Sequence, residues 1–300
     1  MKVAGVVISN PDRVLYQEQG LTKYALASYY DAIAELMVPH VAERPLVLVR
    51  CPQGRHKTCF YQKHWTTEGP EPIDTVPIRE ESGKVMPYAV VRDAAGPVAL
   101  VQHGVLETHV WGSRADNIEA PDRIVFDLDP SPEVPWRKVV DAAKELCQRL
   151  RDLGLKSWLK TTGGKGLHVV VPLARRSAWN EVTAFSRAVA IAMVADSPGQ
   201  YIAKASKAER KGRIFVDWLR NTRGATWIAP WSTRSRPNAP ISVPVAWDEV
   251  DQLQSSEQYN VGNIPDLLTT RWWNPWADLP KSRQSLTRAM QQAVTPKPQR

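Results

Sequence analysis

The sequence has few cysteines and no long apolar run. Cys51, Cys59 and Cys147 are the only three cysteines among 300 residues, and they are too few and too apolar in setting to predict a disulfide framework. No stretch approaches the ~20 apolar residues that span a membrane, and the opening residues MKVAGVVI are too short for a secretion signal. We therefore expect a protein of the reducing cytoplasm that has no membrane contact.

Two nucleotide-related motifs are also absent. The turn TTGGKGLH, residues 161–168, is not a Walker A loop, because Leu159 and Gly166 stand where that motif requires Gly and Ser or Thr. A Walker A loop also leads into a helix, whereas the residues after this turn predict a strand. The K-x-D-G sequence of a covalent ligase nucleophile does not occur either. The chain is therefore not expected to seal nucleic-acid ends by itself.

Positive charge and tryptophan are abundant instead. The formal net charge of +8 favours a polyanionic partner such as nucleic acid. The 12 Trp and 24 Pro suggest broad aromatic surfaces and many irregular connections. Residues 201–240 carry nine Lys or Arg against Glu209 and Asp217. Aromatic residues lie between these cations, which is typical of a surface that binds both phosphates and bases. The alternative is an ordinary solvated charged surface.

The segment RIVFDLDP, residues 123–130, is an apolar run that ends in two carboxylates. In a strand, Asp127 and Asp129 share one face while Leu128 points to the other. Two like charges so close repel each other unless a cation lies between them, and Mg²⁺ or Mn²⁺ prefers carboxylate oxygens. The segment therefore predicts either a divalent-metal site or a strand that runs into a solvated acidic turn.

A third carboxylate, Asp217, lies in the apolar run IFVDWL, where burial is costly unless the group is paired or metal-bound. Together with Asp127 and Asp129 it could hold two cations ~3.5 to 4 Å apart, the geometry of in-line phosphoryl displacement. The alternative is a structural ion pair with Arg213 or Arg220. The turn TTGGKGLH adds backbone N–H groups and charge for an anion, or is only a hairpin turn.

Strands and helices alternate in the second half of the chain. Between 123 and 218 the pattern is strand, helix, strand, strand, helix, strand, with helices expected at 135–153 and 179–194. This order resembles the split βαβ unit. Upstream, residues 3–8 predict one strand, and Thr22 predicts the start of a helix that runs to about Met37 and is stopped by Pro39.

Four ordered motifs resemble one family. They are VFDLDP, GGKGLHVVVPL, FVDW followed by Arg220 and Asn221, and IAPWSTRSRP. Together they resemble the polymerase domain of bacterial ligase D, in the archaeo-eukaryotic primase superfamily. The likeness runs from ISNPDRVLY near the start to about residue 280. It implies an α+β primase-polymerase fold in which an RRM-like, split-βαβ catalytic palm follows an N-terminal α/β subdomain.

The resemblance also implies an activity and its partners. It implies a template-dependent DNA and RNA polymerase of non-homologous end joining that prefers ribonucleotides and fills or extends broken ends. The implied cofactor is Mn²⁺ or Mg²⁺ in a two-ion site, and the substrate is an NTP or dNTP. The implied partners are gapped or 3′-overhanging DNA ends with a 5′-phosphate, ligase and phosphoesterase domains in the same polypeptide, and Ku, in a nucleoid-associated cytoplasmic setting.

The domain plan and the site residues follow from the same resemblance. We expect one catalytic domain over 1–290, divided at 115/116 into a subdomain with DNA contacts and a palm-like subdomain, and a tail over 291–300. The implied metal ligands are Asp127, Asp129 and Asp217, with His109 as a further catalytic group. The implied contacts are Thr162, Gly164, Lys165, His168, Arg220, Arg234 and Arg236 to the nucleotide, Asn10, Arg13 and Lys23 to the 5′-phosphate, and Phe60 and Tyr61 to the template bases.

Three alternatives stay open. Cys51, His56, Cys59 and His64 have the spacing C-x4-H-x2-C-x4-H and could bind zinc. The acid pair also begins haloacid-dehalogenase phosphatases, although these carry Thr or Val where Ser131 stands, so a phosphatase or nuclease is a second enzyme class. The basic residues alone would also suit a non-catalytic module that binds DNA ends.

Overall fold

The computed structural model of the chain describes residues 1–66, 72–206, 208–270 and 274–294. The chain divides into two compact units. The first unit comprises 1–116, 226–243 and 259–272, and the second comprises 117–225, 244–258 and 273–300. Within the described ranges, no helix is both long enough and apolar enough to cross a membrane.

The division between the units lies next to the boundary that the sequence predicts at 115/116. The segments 226–243 and 259–272, which we grouped with the palm-like subdomain, fall in the first unit. The predicted tail overlaps the last helix as far as residue 294, and residues 295–300 lie outside the described ranges.

Seven α-helices occur in the described part of the chain. They are α1 Lys23–Ala32, α2 Ala34–Val41, α3 Ala95–Gln102, α4 Trp136–Asp152, α5 Trp179–Asp196, α6 Ile264–Thr270 and α7 Arg288–Val294.

The same residues contain eighteen strands, many of them short. They are β1 Lys2–Val3, β2 Val6–Val7, β3 Val14–Tyr16, β4 Leu21–Thr22, β5 Leu46–Arg50, β6 Phe60–Gln62, β7 Asp74–Arg79, β8 Val85–Val90, β9 Val105–Trp111, β10 Ser113–Arg114, β11 Asn117–Pro121, β12 Arg123–Pro130, β13 Trp158–Thr161, β14 Leu167–Pro172, β15 Tyr201–Ile202, β16 Ile214–Asp217, β17 Thr226–Ile228 and β18 Pro244–Val245.

The second unit is built on a sheet with the order β15-β16-β12-β14-β13-β18. Its pairs are antiparallel except the β15–β16 pair, which is parallel. Taken along the chain, β12, α4, β13, β14, α5 and β16 form the βαββαβ unit, and β12 and β14 are its two central strands. The predicted split-βαβ arrangement is therefore confirmed, and it places the acidic strand β12 between β14 and β16.

Apolar spacing explains the main helix of this unit. α4 buries residues that recur three and four positions apart, including Val139, Val140, Ala143, Leu146, Cys147 and Leu150. The helix contacts β12 and β14. The prediction that Cys147 is a core residue is confirmed, because its side chain is buried and unpaired with another cysteine.

The first unit contains a sheet with the order β17-β9-β5-β8-β7, and β6 also pairs with β5. The central strand β5 has three fully buried apolar residues at its start, which is the pattern of a strand covered on both faces. Thr22 caps α1, since its hydroxyl accepts from the Ala25 N–H at 3.1 Å. The strand β9 carries Glu107 and His109.

Two sequence predictions for this unit are wrong in detail. Residues 3–8 form part of a hairpin, not one strand, because Ala4 and Gly5 both have positive φ (44° and 80°), as a two-residue turn between strands requires. Pro39 does not stop the N-terminal helix, which breaks at Ile33 and continues as α2 to Val41. The proline removes one N–H donor, and the helix tolerates that loss near its end.

Candidate active site and nucleic-acid contacts

Four strands bring charged side chains together on one face of the second unit's sheet. Asp127 of β12 pairs in register with His168 of β14 and with Asp217 of β16. Lys160 of β13 pairs with His168. Because directly paired residues of adjacent strands share a face, these four form a continuous row. Asp129 lies on the same face two residues beyond Asp127. The three predicted metal ligands, Asp127, Asp129 and Asp217, are therefore neighbours, and we call them the acid row.

Two arginines lie among these carboxylates. Arg220 Nε is 3.4 Å from Asp127 Oδ2 and 3.2 Å from Asp217 Oδ2. Arg210 Nη1 donates to Asp129 Oδ2 at 3.0 Å. The ion pair of Asp217 with Arg220, which the sequence offered as an alternative to metal binding, is thus present. Across the described ranges, no group of three or more His, Cys, Asp or Glu side chains is arranged to hold a metal ion.

The carboxylates nevertheless have the chemistry of a divalent-cation site. Burial raises the pKa of Asp217 to about 6, and Arg220 opposes this shift while Asp127 adds to it. Burial, followed by repulsion from Asp127, also raises the pKa of Asp129. Two of the three acids therefore carry negative charge that the nearby arginines do not fully compensate. Hard oxygen donors with uncompensated charge fit Mg²⁺ or Mn²⁺.

His168 and Lys160 set the charge at the other end of the row. Burial, followed by the charge of Lys160, lowers the pKa of His168 to about 4, so its imidazole is neutral at pH 7. Burial acts to raise the pKa of Asp127, but the contact with His168 and the charges of Arg220 and Lys160 outweigh it and lower the pKa. Within the described structure the buried Nδ1 of His168 has no hydrogen-bond partner, which suits a nitrogen that meets a ligand or water.

The glycine turn packs closely under β12. A Cβ on Gly166 would overlap the Leu128 carbonyl oxygen, so only glycine fits there. Thr162 points into the turn: its hydroxyl donates to the Gly166 carbonyl at 3.0 Å and accepts from the N–H groups of Gly164 and Gly166. Ser256 closes the same network by donating to the Gly166 carbonyl at 2.6 Å.

This network bears on which residues of the turn are available to contact a nucleotide. The Thr162 hydroxyl and the Gly164 N–H already have partners inside the turn, so their contact with a triphosphate stays a prediction. Lys165, by contrast, is exposed, and its charge acts to lower the pKa of Asp129. Lys165 is therefore a residue of the turn that is exposed and whose charge acts on the acid row.

In the first unit, buried tyrosine hydroxyls hold the segment 231–236, which we call the arginine loop. Tyr29 donates to the Trp231 carbonyl at 2.7 Å, and Tyr16 donates to the Arg234 carbonyl at 2.9 Å. The Tyr30 hydroxyl is 3.0 Å from Thr233 Oγ1. All three tyrosines are buried. The loop that carries Arg234 and Arg236 is thus anchored from beneath.

The carboxylate of Glu107 connects this loop to His109. His109 Nε2 and Arg234 Nε lie 2.9 and 3.0 Å from Glu107 Oε2. The backbone N–H and hydroxyl of Ser235 both donate to Glu107 Oε1 at 2.8 Å. The structure therefore brings the predicted catalytic residue His109 and the predicted nucleotide contact Arg234 onto one buried acid, Glu107, which was not predicted from the sequence.

The predicted template-stacking pair lies on the surface of the same unit. Phe60 and Tyr61 are 45% and 59% exposed, so neither is an ordinary core residue. The Arg50 guanidinium lies 5.5 Å from the centre of the Phe60 ring, and the Tyr61 ring packs edge-on against His109 at 5.8 Å. Exposed aromatic rings beside a cation suit the stacking of bases.

The predicted 5′-phosphate contacts also belong to the first unit. Lys23 is only 5% exposed, and its ammonium lies 3.5 Å from Ser9 Oγ. No carboxylate pairs with it among the described residues. Burial and the charge of Arg13 lower the pKa of Lys23 to about 8. A buried cation without a counter-charge suits an anionic ligand. Arg13 donates to the Pro52 carbonyl at 2.7 Å, and Asn10 occupies the left-handed region at φ 48°.

The cysteine predictions need correction. Cys51 and Cys59 form a disulfide, although the sequence predicts none. The zinc hypothesis fails for the same reason, since two of its four ligands are bonded to each other. His64 is also engaged elsewhere, because its Nε2 lies 2.9 Å from Glu80 Oε1. The eight-residue spacing of the two cysteines allowed either outcome, and only the meeting of β5 with β6 brings them together.

The basic segment 201–240 is not simply a solvated run of charge. Its residues fall in both units, and several of its cations form ion pairs. These are Arg210 with Asp129, Arg220 with Asp127 and Asp217, Arg223 with Glu119, Arg234 with Glu107, and Lys204 with Glu209. Lys207 lies outside the described residues.

Sequence reasoning missed several residues of these sites: Glu107, Lys160, Arg210 and Ser256. Two of them, Glu107 and Lys160, could have been recognised from the sequence. Glu107 lies two residues before His109 in a strand, so the two side chains share a face. Lys160 precedes the glycine turn inside an apolar strand, where a charged residue is costly. Ser256 gave no signal, because its position beside the turn depends on a distant loop.

Comparisons with known proteins identify relatives of the chain. Residues 22–276 match the family described as LigD, primase-polymerase domain. A multifunctional non-homologous end joining protein LigD from Pseudomonas aeruginosa is 38% identical over 97% of the chain, which covers 35% of that protein. Its counterpart from Mycolicibacterium smegmatis is 34% identical over 82% of the chain and 32% of that protein. The chain therefore spans about one third of the length of these curated relatives.

A solved structure has the same fold. The polymerase domain of Mycobacterium tuberculosis ligase D, determined in complex with DNA, superimposes with a TM-score of 0.86 at 28% identity. The match covers 93% of this chain and 99% of that one.

Proposed function

Because the chain belongs to the LigD primase-polymerase domain family, we propose that it is a template-directed polymerase that adds nucleotides, preferably ribonucleotides, to broken DNA ends in non-homologous end joining. The observation that carries the proposal is the shared face of Asp127, Asp129 and Asp217 on adjacent strands of a split-βαβ sheet. A primer 3′-hydroxyl attacks the α-phosphate of a nucleoside triphosphate, and pyrophosphate leaves.

Asp127, Asp129 and Asp217 would hold Mg²⁺ or Mn²⁺, which lowers the pKa of the attacking hydroxyl and neutralises charge on the triphosphate when bound. The chain's own residues bind and orient the substrate. Lys165 and Arg220 neutralise phosphate charge. Neutral His168 offers a ring nitrogen to the nucleotide beside the acid row.

The first unit supplies further contacts to substrate and DNA. His109, Arg234 and Arg236 bind the nucleotide. Phe60 and Tyr61 stack on template bases. Lys23, Arg13 and Asn10 bind the 5′-phosphate of the downstream strand, which provides the counter-charge that buried Lys23 lacks.

We also propose the setting of the reaction. The curated relatives are multifunctional or bifunctional end-joining proteins, and the match to this chain covers between 32% and 41% of their length. The polymerase would work beside ligase and phosphoesterase domains in one polypeptide, with Ku at the DNA end, on the nucleoid in the cytoplasm.

Primer extension tests the reaction. The purified chain is incubated with Mn²⁺ or Mg²⁺, NTPs or dNTPs, and a gapped duplex that carries a 5′-phosphate. We expect extension by the wild type and none by the Asp127→Ala/Asp129→Ala variant, with DNA affinity retained. Asp248→Ala is the matched control, because Asp248 is an exposed acid of the same unit. Hydrolysis of triphosphate without extension would support a phosphatase or nuclease instead.

One observation favours a second candidate, a non-catalytic module that binds DNA ends. The acid row is occupied by Arg210 and Arg220, which is an arrangement that a purely structural ion-pair network would also have. Under that hypothesis the chain binds ends but never extends them with either metal, and the two aspartate substitutions only change stability.

A further inference from the structure

The carboxylate of Glu107 is buried beneath two side chains that reach the surface. Its side chain is 6% exposed, whereas those of His109 and Arg234 are 13% and 22% exposed. Each of its oxygens has two partners: His109 and Arg234 at Oε2, and the N–H and hydroxyl of Ser235 at Oε1. The acid therefore lies under a small surface formed by an imidazole and a guanidinium.

The chemistry of these contacts requires Glu107 to be ionised. Burial acts to raise its pKa, but His109, Arg234 and the Ser235 N–H outweigh burial, and the pKa is lowered. An ionised carboxylate only accepts hydrogen bonds. His109 must therefore present a protonated Nε2 to it, and the negative charge stabilises the imidazolium form of the ring.

Two further contacts restrict the same side chains. Tyr61 packs edge-on against the His109 ring. The arginine loop is held by tyrosine hydroxyls on either side of Thr233. The Glu107 carboxylate contacts both His109 and Arg234, so it sets their spacing.

We propose that Glu107 is a positioning residue that holds His109 and Arg234 together as a cationic pair for the phosphates of the incoming nucleotide. This inference rests on the proposed function and deepens it, because it assigns the phosphate contact of the first unit to a preorganised pair instead of two independent side chains. Preorganisation matters because an unheld arginine loses rotamer freedom when it binds, which weakens binding.

The chain contains a matched control for this network. Glu80 is also a partly buried acid of the first unit, and its Oε1 contacts His64 at 2.9 Å, Lys63 at 2.8 Å and the Tyr88 hydroxyl at 2.8 Å. It therefore joins a histidine and a cation as Glu107 does, but none of its partners is a proposed nucleotide contact. Glu80→Gln removes the same charge from a network that also joins a histidine and a cation.

The test uses the full chain with Glu107→Gln, Glu107→Asp and Glu80→Gln. The first measurement is the NMR titration of the His109 ring, assigned with His109→Asn. We expect the titration midpoint of His109 to move to lower pH in Glu107→Gln and not in Glu80→Gln. This readout does not depend on polymerase activity, so it separates failure of the inference from failure of the proposed function.

The second measurement is the affinity for ATP without DNA, by calorimetry. Glu107→Gln should weaken it roughly tenfold, Glu107→Asp should recover part of the loss, and Glu80→Gln should leave it unchanged. Glu107→Gln and His109→Asn should also be non-additive in the double variant, because one acts through the other. If Glu107→Gln does not fold, Glu107→Asp carries both measurements. An unchanged His109 titration, or equal losses in Glu80→Gln, would overturn the inference.

Discussion

Lys23 leads to a prediction in which stability and function move in opposite directions. Its ammonium is 5% exposed, has no carboxylate partner among the described residues, and has a pKa lowered to about 8 by burial and Arg13. A shift from 10.5 to about 8 corresponds to up to about 3 kcal/mol of unfavourable free energy for the charged form. Replacing Lys23 by Met, which keeps the length of the stem, should therefore stabilise the free protein by a sizeable part of that amount.

The same substitution should remove the preference for a 5′-phosphate. A phosphate placed beside Lys23 supplies the missing counter-charge, and a charge-assisted contact of this kind contributes about 1.5 to 3 kcal/mol, or roughly 10- to 100-fold in affinity. Wild type should bind gapped DNA with a 5′-phosphate more tightly than the same DNA with a 5′-hydroxyl. Lys23→Met should bind the two equally, with a higher Tm.

The lowered pKa of Lys23 also predicts how stability depends on pH. Between about pH 8 and 10.5 the unfolded chain binds the Lys23 proton and the folded chain does not, so this group makes stability rise with pH across that window. The difference in Tm between Lys23→Met and wild type should therefore shrink above pH 8, and the preference of wild type for a 5′-phosphate should fall there. Lys84→Met is the control, because Lys84 is an exposed lysine of the same unit and has no part in the proposed phosphate site. The reasoning is refuted if Lys23→Met lowers the Tm and keeps the preference.

Three other predictions concern the acid row, the glycine turn and the cysteines. Asp217→Asn should raise the Tm at pH 7, because it removes a buried charged group whose pKa is about 6. The substitution should also abolish primer extension and remove the increase in Tm that Mn²⁺ gives the wild type. An equal increase in Tm with Mn²⁺ in both proteins would contradict the metal proposal. Gly166→Ala should lower the free energy of unfolding in urea by about 1 to 3 kcal/mol, because its Cβ would meet a backbone carbonyl oxygen. Gly199→Ala, which has open space around its Cβ, should change that free energy by only about 0.5 kcal/mol or less. Thiol titration of the unfolded protein should find one free thiol without reductant and three after reduction. Stoichiometric zinc in protein purified without a metal-affinity column would contradict the Cys51–Cys59 disulfide.

The palm-like part of the second unit could be predicted from the sequence because its signals are local. The apolar run with Asp127 and Asp129, the helix α4 and the glycine turn each show their own periodicity or turn chemistry. Sequence predictions of short-range features in the first unit were less reliable. The hairpin at 2–7 depends on positive φ angles at Ala4 and Gly5, and the helix break depends on the non-helical ψ angle of Ile33. Composition reveals neither.

The contacts that tune the sites could not be predicted in the same way. Arg210 and Ser256 act on the acid row and the glycine turn from loops far away in sequence. Glu107 meets Ser235 across 128 residues. Such pairs form only when sheet order and register are set, and neither quantity is encoded by spacing along the chain.

The amino-acid sequence by itself determined which acids could bind metal, since a carboxylate in an apolar strand is costly to bury unless a cation accompanies it, and both DLD and Asp217 lie in such strands. The tertiary structure alone decided which cations face those acids, that Cys51 meets Cys59, and that Glu107 joins His109 to Arg234. Electrostatic partners are chosen by distance in space, and in a sheet that distance follows from strand order and register.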